Sequence, residues 1–71
     1  MGFLDALAVT NYAAKMERII ARRLGIALFR PTKRQRDEIL RVATQARAAG
    51  FSAEEAVDIC FDLIKTIGKF G

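Results

Sequence analysis

A boundary between two helices lies in the stretch F-R-P-T-K-R-Q-R-D-E-I-L-R, Phe29 to Arg41. Pro31 disfavours helical geometry at the residue before it, so a preceding helix has to end by Arg30. Thr32 and Gln35 form the T-x-x-Q pattern of a capping box, in which each side chain bonds the backbone amide of the other residue. The pattern therefore predicts that a new helix begins at Thr32.

The chain before this boundary has the pattern of one long helix. Residues Phe3 to Leu24 contain no Pro or Gly, so a helix of about six turns is expected. Apolar residues recur along it at spacings of three and four: Val9, Tyr12, Ala13, Met16, Ile20 and Leu24. Gly25 is a position at which this helix can end. The segment Gly25 to Phe29 is compatible with a frayed last turn or with an extended joint, and the sequence leaves both open.

The chain after this boundary has the pattern of a helical hairpin. The second helix is expected to end at Gly50, which accepts the left-handed conformation of a helix C-terminus. Its inner face carries small and branched apolar residues: Ile39, Val42, Ala43 and Ala46, with Leu40 at the edge. Ser52 and Glu55 form a second capping box, S-x-x-E, at the start of the third helix. Gly68 is expected to stop that helix near Ile67.

These patterns predict one all-α domain over residues 1–71, a compact three-helix domain with a long first helix followed by the hairpin. The third helix has a wide apolar arc: Ala56, Val57, Ile59, Cys60, Phe61, Leu63, Ile64 and Ile67. It should therefore pack on both other helices or on another chain. A core of this size rarely supplies more than about 3 to 5 kcal/mol of stability, so a homo-oligomer or a larger assembly is expected.

The residue types present argue against catalysis and against a bound cofactor. Cys60 is the single cysteine and histidine is absent, so an internal disulfide is impossible and the usual zinc ligands are missing. Acid-base and nucleophilic mechanisms lose their commonest partner without histidine. Cys60 lies on the apolar arc, where a thiol behaves as a small apolar side chain. No enzyme activity, cofactor or metal is predicted.

Charge is distributed unevenly along the sequence. The net charge is +4, but the segment from Lys15 to Arg47 holds ten basic and three acidic residues, a local charge of +7. From Ser52 onward the sequence contains four acids and two lysines, a local charge of −2. The chain is thus basic in its first two helices and acidic at the start of the third.

The first turn of the second helix conflicts with the helix dipole. Lys33, Arg34 and Arg36 lie where cations are disfavoured, and the pairs Lys33 with Asp37 and Arg34 with Glu38 offset only part of the cost. Cations, free amides and a capping hydroxyl together favour an anion, above all phosphate. The predicted nucleic-acid or anion-binding set is Lys15, Arg18, Arg22, Arg30, Thr32, Lys33, Arg34, Arg36 and Arg41. Solvated surface charge and a partner's carboxylates remain alternative interpretations.

A helix-turn-helix interpretation of the hairpin fails on charge. The third helix would enter the major groove, yet its polar face begins with acids that phosphates repel. Those acids suggest a second hypothesis, a structural or adaptor subunit that packs on a protein partner through the third helix. The residues predicted for that protein interface are Ile59, Leu63, Ile67, Phe70, Asp58 and Asp62.

Contact with a membrane surface is a third, less favoured hypothesis. Phe3, Leu4 and Leu7 project to a different side from the later apolar stripe, either to meet such a surface or to close one end of the core. The apolar runs are far shorter than the roughly 20 residues that a spanning helix needs. The expected location is the cytoplasm, and a virion is compatible with the same features.

Overall fold

Three helices account for most of the chain in the computed structural model, which describes residues 3–70 and the side chains of residues 6–68. They are α1 (Phe3–Leu24), α2 (Lys33–Ala48) and α3 (Ala53–Phe70), and the described residues contain no strand. The predicted all-α three-helix fold is confirmed. None of these helices is long and apolar enough to cross a membrane.

Both predicted capping boxes are present. At α2, the Thr32 hydroxyl accepts from the Gln35 amide at 3.1 Å, and the Gln35 Oε1 accepts from the Thr32 amide at 2.8 Å. At α3, Ser52 and Glu55 make the same two bonds, at 3.2 and 2.9 Å. The sequence therefore located both helix starts correctly.

The first two helices also end in the same way. Gly25 and Gly50 have φ angles of +71° and +84°, which residues with a Cβ rarely adopt. At each glycine, the next residue donates its amide to a carbonyl five positions earlier: Ile26 to Ala21 at 3.0 Å, and Phe51 to Ala46 at 2.9 Å. Residues 26–32 are not helical, so the first joint is an extended connection rather than a frayed turn.

The helices form a bundle in which each contacts both others. The tight turn at residues 49–52 makes α2 and α3 antiparallel, and the Gln35 Nε2 donates to the Ile64 carbonyl of α3 at 2.8 Å. The hydroxyl of Tyr12 donates to the carbonyl of Phe51 at 2.7 Å, while Arg23, further along α1, reaches α3. Since the contacts advance in the same direction along both helices, α1 and α3 run parallel.

The core is apolar and draws on all three helices. Its largest fully buried side chains are Met16, Ile20, Ile39, Val57, Cys60 and Ile64. The inner face predicted for α2 is confirmed. In α1 the prediction was wrong at the end of the stripe, because Leu24 is 38% exposed while Ile19 and Ala21 are buried. Ala21 is covered because the first joint folds back beside it and lines a groove with it.

The predicted stop at Gly68 is wrong. α3 continues through this residue to Phe70, and Gly68 has an ordinary helical φ. A Cβ at position 68 would overlap the side-chain amide of Gln35. Gly68 therefore serves close packing between α2 and α3, a role that only the tertiary structure reveals.

Candidate functional site

Three cations of the predicted set share one face of α1. Lys15, Arg18 and Arg22 are separated by three and four residues, and all three are exposed. They line a groove of about 640 Å³ between α1 and the start of α3. We call these three residues the α1 basic face. The other residues around this α1/α3 groove are Ala8, Asn11, Tyr12, Ile19, Ser52, Ala53 and Glu54.

Two members of this face also border a second groove. Arg18 and Arg22 line a space of about 550 Å³ between α1 and the first joint. They therefore form a ridge between two grooves. The ion pairs between described side chains involve none of the three residues of the α1 basic face. Their charges remain available to an external anion.

Arg23 has a different environment from its neighbour Arg22. Its guanidinium lies 2.7 Å from Asp58 and 3.3 Å from Glu54, and 5.6 Å above the ring of Phe61. The hydrogen bond with Asp58 is the main cause that raises the pKa of Arg23. This arginine therefore joins α1 to α3.

Sequence reasoning missed the role of Arg23. The signal was its spacing, because it lies four residues after Ile19 and three after Ile20, both of which are buried. That spacing places its side chain at the edge of the core, towards a neighbouring helix. An arginine at the edge of an apolar stripe is a candidate for such an interhelical ion pair.

The two acids of the predicted protein interface, Asp58 and Asp62, have different environments. Asp58 has an internal partner in Arg23, so its charge is partly compensated within the chain. Asp62 contacts Lys65 at 3.7 Å, and its side chain is 98% exposed. Asp62 is therefore the more accessible of the two for a partner's cation.

Part of the positive charge of α2 is used internally. Lys33 pairs with Asp37 at 3.2 Å, as expected from their spacing. The expected pair of Arg34 with Glu38 does not form, because Arg41 engages both carboxylate oxygens of Glu38, one of them from Nε at 3.0 Å. In that pair the acid precedes the cation along the helix, which is the more favourable order.

The remaining predicted cations lie apart from the α1 basic face. Arg30, Arg34 and Arg36 are exposed, and they line neither groove. The hydroxyl of Thr32 already accepts from the amide of Gln35, so it serves the cap. The structure thus brings together three members of the predicted set, while the others lie around the start of α2 or, for Arg41, in its middle.

Two apolar members of the predicted protein interface are exposed on α3. Ile59 is 60% exposed and Leu63 is 46% exposed, and their spacing of four places them on the same side of α3. Ile67 is half-buried. The side chain of Phe70 lies outside the described residues. The bundle therefore leaves part of the α3 arc uncovered.

Of the side chains predicted to meet a membrane surface, Leu7 is 46% exposed. The side chains of Phe3 and Leu4 lie outside the described residues. Cys60 is buried, and this burial is the main cause that raises the pKa of its thiol. A thiol in this state is a packing group rather than a nucleophile. Among the described side chains, no cluster of three or more potential metal ligands is present.

Comparison of the chain with protein-family models, curated proteins and solved structures gives no significant match.

Proposed function

We propose that this chain is a non-enzymatic nucleic-acid-binding protein that contacts the phosphate backbone, with the α1 basic face as its central contact. The observation that carries the proposal is the alignment of Lys15, Arg18 and Arg22, exposed and without an ion-pair partner among the described side chains. From Lys15 to Arg22 the helix rises about 10 Å. Cations in such a row can neutralise several phosphates and release their counterions.

Other cations of the predicted set extend this contact. Arg30, Arg34 and Arg36 surround the start of α2, where helix amides add a favourable dipole for anions. Lys33 and Arg41 contribute less, because each already pairs with a carboxylate of its own helix. Contacts of this kind position a protein on the backbone and read little sequence. We expect the protein to act in the cytoplasm or in a virion.

The test measures binding of a labelled duplex by fluorescence anisotropy between about 50 and 200 mM salt. The wild type should bind at low salt and lose affinity steeply as salt rises. The double substitution Arg18→Gln and Arg22→Gln should weaken binding to unrelated sequences alike and reduce the salt slope by about two, one for each lost phosphate contact.

A matched control distinguishes the loss of the α1 basic face from the loss of net charge. Arg47→Gln with Lys65→Gln removes the same charge from exposed positions that line neither groove. It should leave the salt slope nearly unchanged. Absence of binding by the wild type at low salt would refute the proposal, and an equal loss in the control would refute the assignment to the α1 basic face.

A second candidate function, a structural or adaptor subunit of a protein assembly, is favoured by the exposure of Ile59 and Leu63. Covering them would add apolar burial to a small core. If the wild type self-associates in sedimentation experiments, Leu63→Asp should abolish the complex. Leu7→Asp is the matched control, since both leucines are 46% exposed. A wild type that remains monomeric at millimolar concentration would exclude self-assembly through this side of α3.

A further inference from the structure

The end of α1 and the first joint expose aliphatic side chains in close succession. Leu24, Ile26 and Leu28 are 38%, 45% and 65% exposed, and Leu28 is the most exposed large apolar side chain among the described residues. Phe29 follows them and packs against the core. This anchor holds the joint in place. The exposed side chains before it are therefore presented on a fixed segment.

The exposed aliphatic residues share a surface with cations. Ile26 and Leu28 line one side of the groove whose other side includes Arg18 and Arg22. Glu17 is an acid on this groove, and it is half-buried. Aliphatic side chains and cations thus line opposite sides of one groove.

Leu7 extends the same surface along α1. It precedes Ala14, a groove residue, by seven positions, or about two helical turns. Residues at this spacing lie on one side of a helix. Leu7 is 46% exposed. Apolar side chains therefore lie on both sides of Arg18 along this surface.

We propose that this surface, formed by the first joint and the adjoining side of α1, docks on a bilayer that contains anionic lipids. Ile26 and Leu28 enter the boundary between headgroups and acyl chains, while Arg18 and Arg22 contact lipid phosphates. A bilayer offers both an apolar layer and a layer of negative charge, as amphipathic surface-binding segments require. The proposal goes beyond nucleic-acid binding and does not depend on it.

The charge of the surface argues for lipid over other occupants. A second copy docked through the same surface would bring two basic faces together, which is unfavourable. A nucleic acid bound along the arginines alone would leave Ile26 and Leu28 in water. An anionic bilayer satisfies both kinds of side chain.

The test is cosedimentation with vesicles of phosphatidylcholine, with and without about one-third phosphatidylserine. The wild type should partition onto the anionic vesicles and much less onto the neutral ones. Ile26→Ser with Leu28→Ser should lower the partition coefficient at least about tenfold, because two aliphatic side chains no longer enter the apolar layer. Arg18→Gln with Arg22→Gln should lower it by a similar factor.

Ile59→Ser is the matched control, because Ile59 is 60% exposed and lies on α3. This variant should change the partition coefficient by less than about twofold, because Ile59 stays in water when the protein docks through the other surface. Circular dichroism verifies that each variant is folded. If Ile59→Ser lowered the partition coefficient as much as the joint variant does, the proposal would be overturned. Any exposed apolar side chain would then promote vesicle binding equally.

Duplex binding separates the two proposals. The Ile26→Ser and Leu28→Ser variant should bind duplex as the wild type does, since it retains every cation. The lipid proposal is overturned if the wild type ignores anionic vesicles, if it binds neutral ones equally, or if the joint variant partitions normally. Loss of self-association in the joint variant would assign the surface to a second copy and would also overturn it. Failure of duplex binding alone leaves lipid docking intact.

Discussion

Residues 25–32 and residues 49–52 each connect two helices, and each leads from a glycine of positive φ to a capping box. The capping residue Gln35 of the first joint is 6% exposed and also bonds the carbonyl of Ile64 in α3. The corresponding residue of the second joint, Glu55, is exposed, and that joint is instead tied to α1 by the hydroxyl of Tyr12. The same local pattern thus occurs in two environments.

This difference indicates how burial changes the importance of a cap. An exposed cap can be replaced by water when it is removed, so its loss costs little. When a buried cap is removed, water does not readily take its place, so the cost includes the lost hydrogen bonds and the cavity that remains. Gln35 therefore stabilises both the start of α2 and its packing on α3.

The largest expected effect concerns the two capping side chains. Gln35→Ala should lower the free energy of unfolding by about 2 to 3 kcal/mol, because it removes a buried side chain together with its hydrogen bonds to Thr32 and Ile64. Glu55→Ala should lower it by about 0.5 kcal/mol, because water replaces the carboxylate. Urea denaturation followed by circular dichroism measures both values. Equal losses would contradict the distinction between the two joints.

A double-mutant cycle tests the close contact between Gly68 and Gln35. Gly68→Ala should destabilise the wild type, because its Cβ overlaps the side-chain amide of Gln35. In the Gln35→Ala background the same change should stabilise the protein by about 0.5 to 1 kcal/mol, the usual advantage of Ala over Gly in a helix. If Gly68→Ala destabilised both backgrounds alike, the close contact between the two residues would be contradicted.

An intermediate and equal effect is expected at the two glycines that precede the joints. Gly25→Ala and Gly50→Ala should each cost about 1 to 2 kcal/mol, because a left-handed conformation strains any residue with a Cβ. An added Cβ meets no atom within 4 Å at either position, so steric overlap contributes nothing. Urea denaturation of both variants tests the expectation. A much smaller loss at Gly25 would mean that the longer joint relaxes into another conformation.

A smaller effect than that of the glycines is expected for the hydroxyl that ties the second joint to α1. Burial first, and the charge of Glu55 second, raise the pKa of Tyr12 above its ordinary value of 10.0. The folded state thus holds this proton more tightly than the unfolded state, so the stabilisation is fully present below about pH 10 and is lost as pH rises through the folded-state pKa. Tyr12 is the single tyrosine and tryptophan is absent, so ultraviolet absorbance reports its ionisation alone.

Tyr12→Phe provides the control for this titration. It removes a hydrogen bond of 2.7 Å and should cost about 0.5 to 1.5 kcal/mol near neutral pH. It should also weaken the loss of stability above pH 10. An absorbance midpoint at or below the ordinary value would show that the hydroxyl is not held by the joint.

Signals that act within a few residues were readable from the sequence. Thr32 with Gln35 and Ser52 with Glu55 located two helix starts, because a capping box closes over three residues. Gly50 located the end of α2, because its φ depends on the local chain. The common side of Lys15, Arg18 and Arg22 also follows from their spacing on a helix.

Signals that depend on a neighbouring helix were not readable in this way. Gly68 has the appearance of a helix stop, and only the approach of Gln35 shows why glycine occupies that position. Arg22 and Arg23 are indistinguishable as residue types, yet one faces solvent and the other bonds Asp58 across the bundle. The sequence by itself determined the helices, their caps and the total charge, because these follow from local geometry and composition. The tertiary structure alone decided which charges are neutralised and which apolar side chains stay exposed, because both depend on distances between residues far apart in the chain.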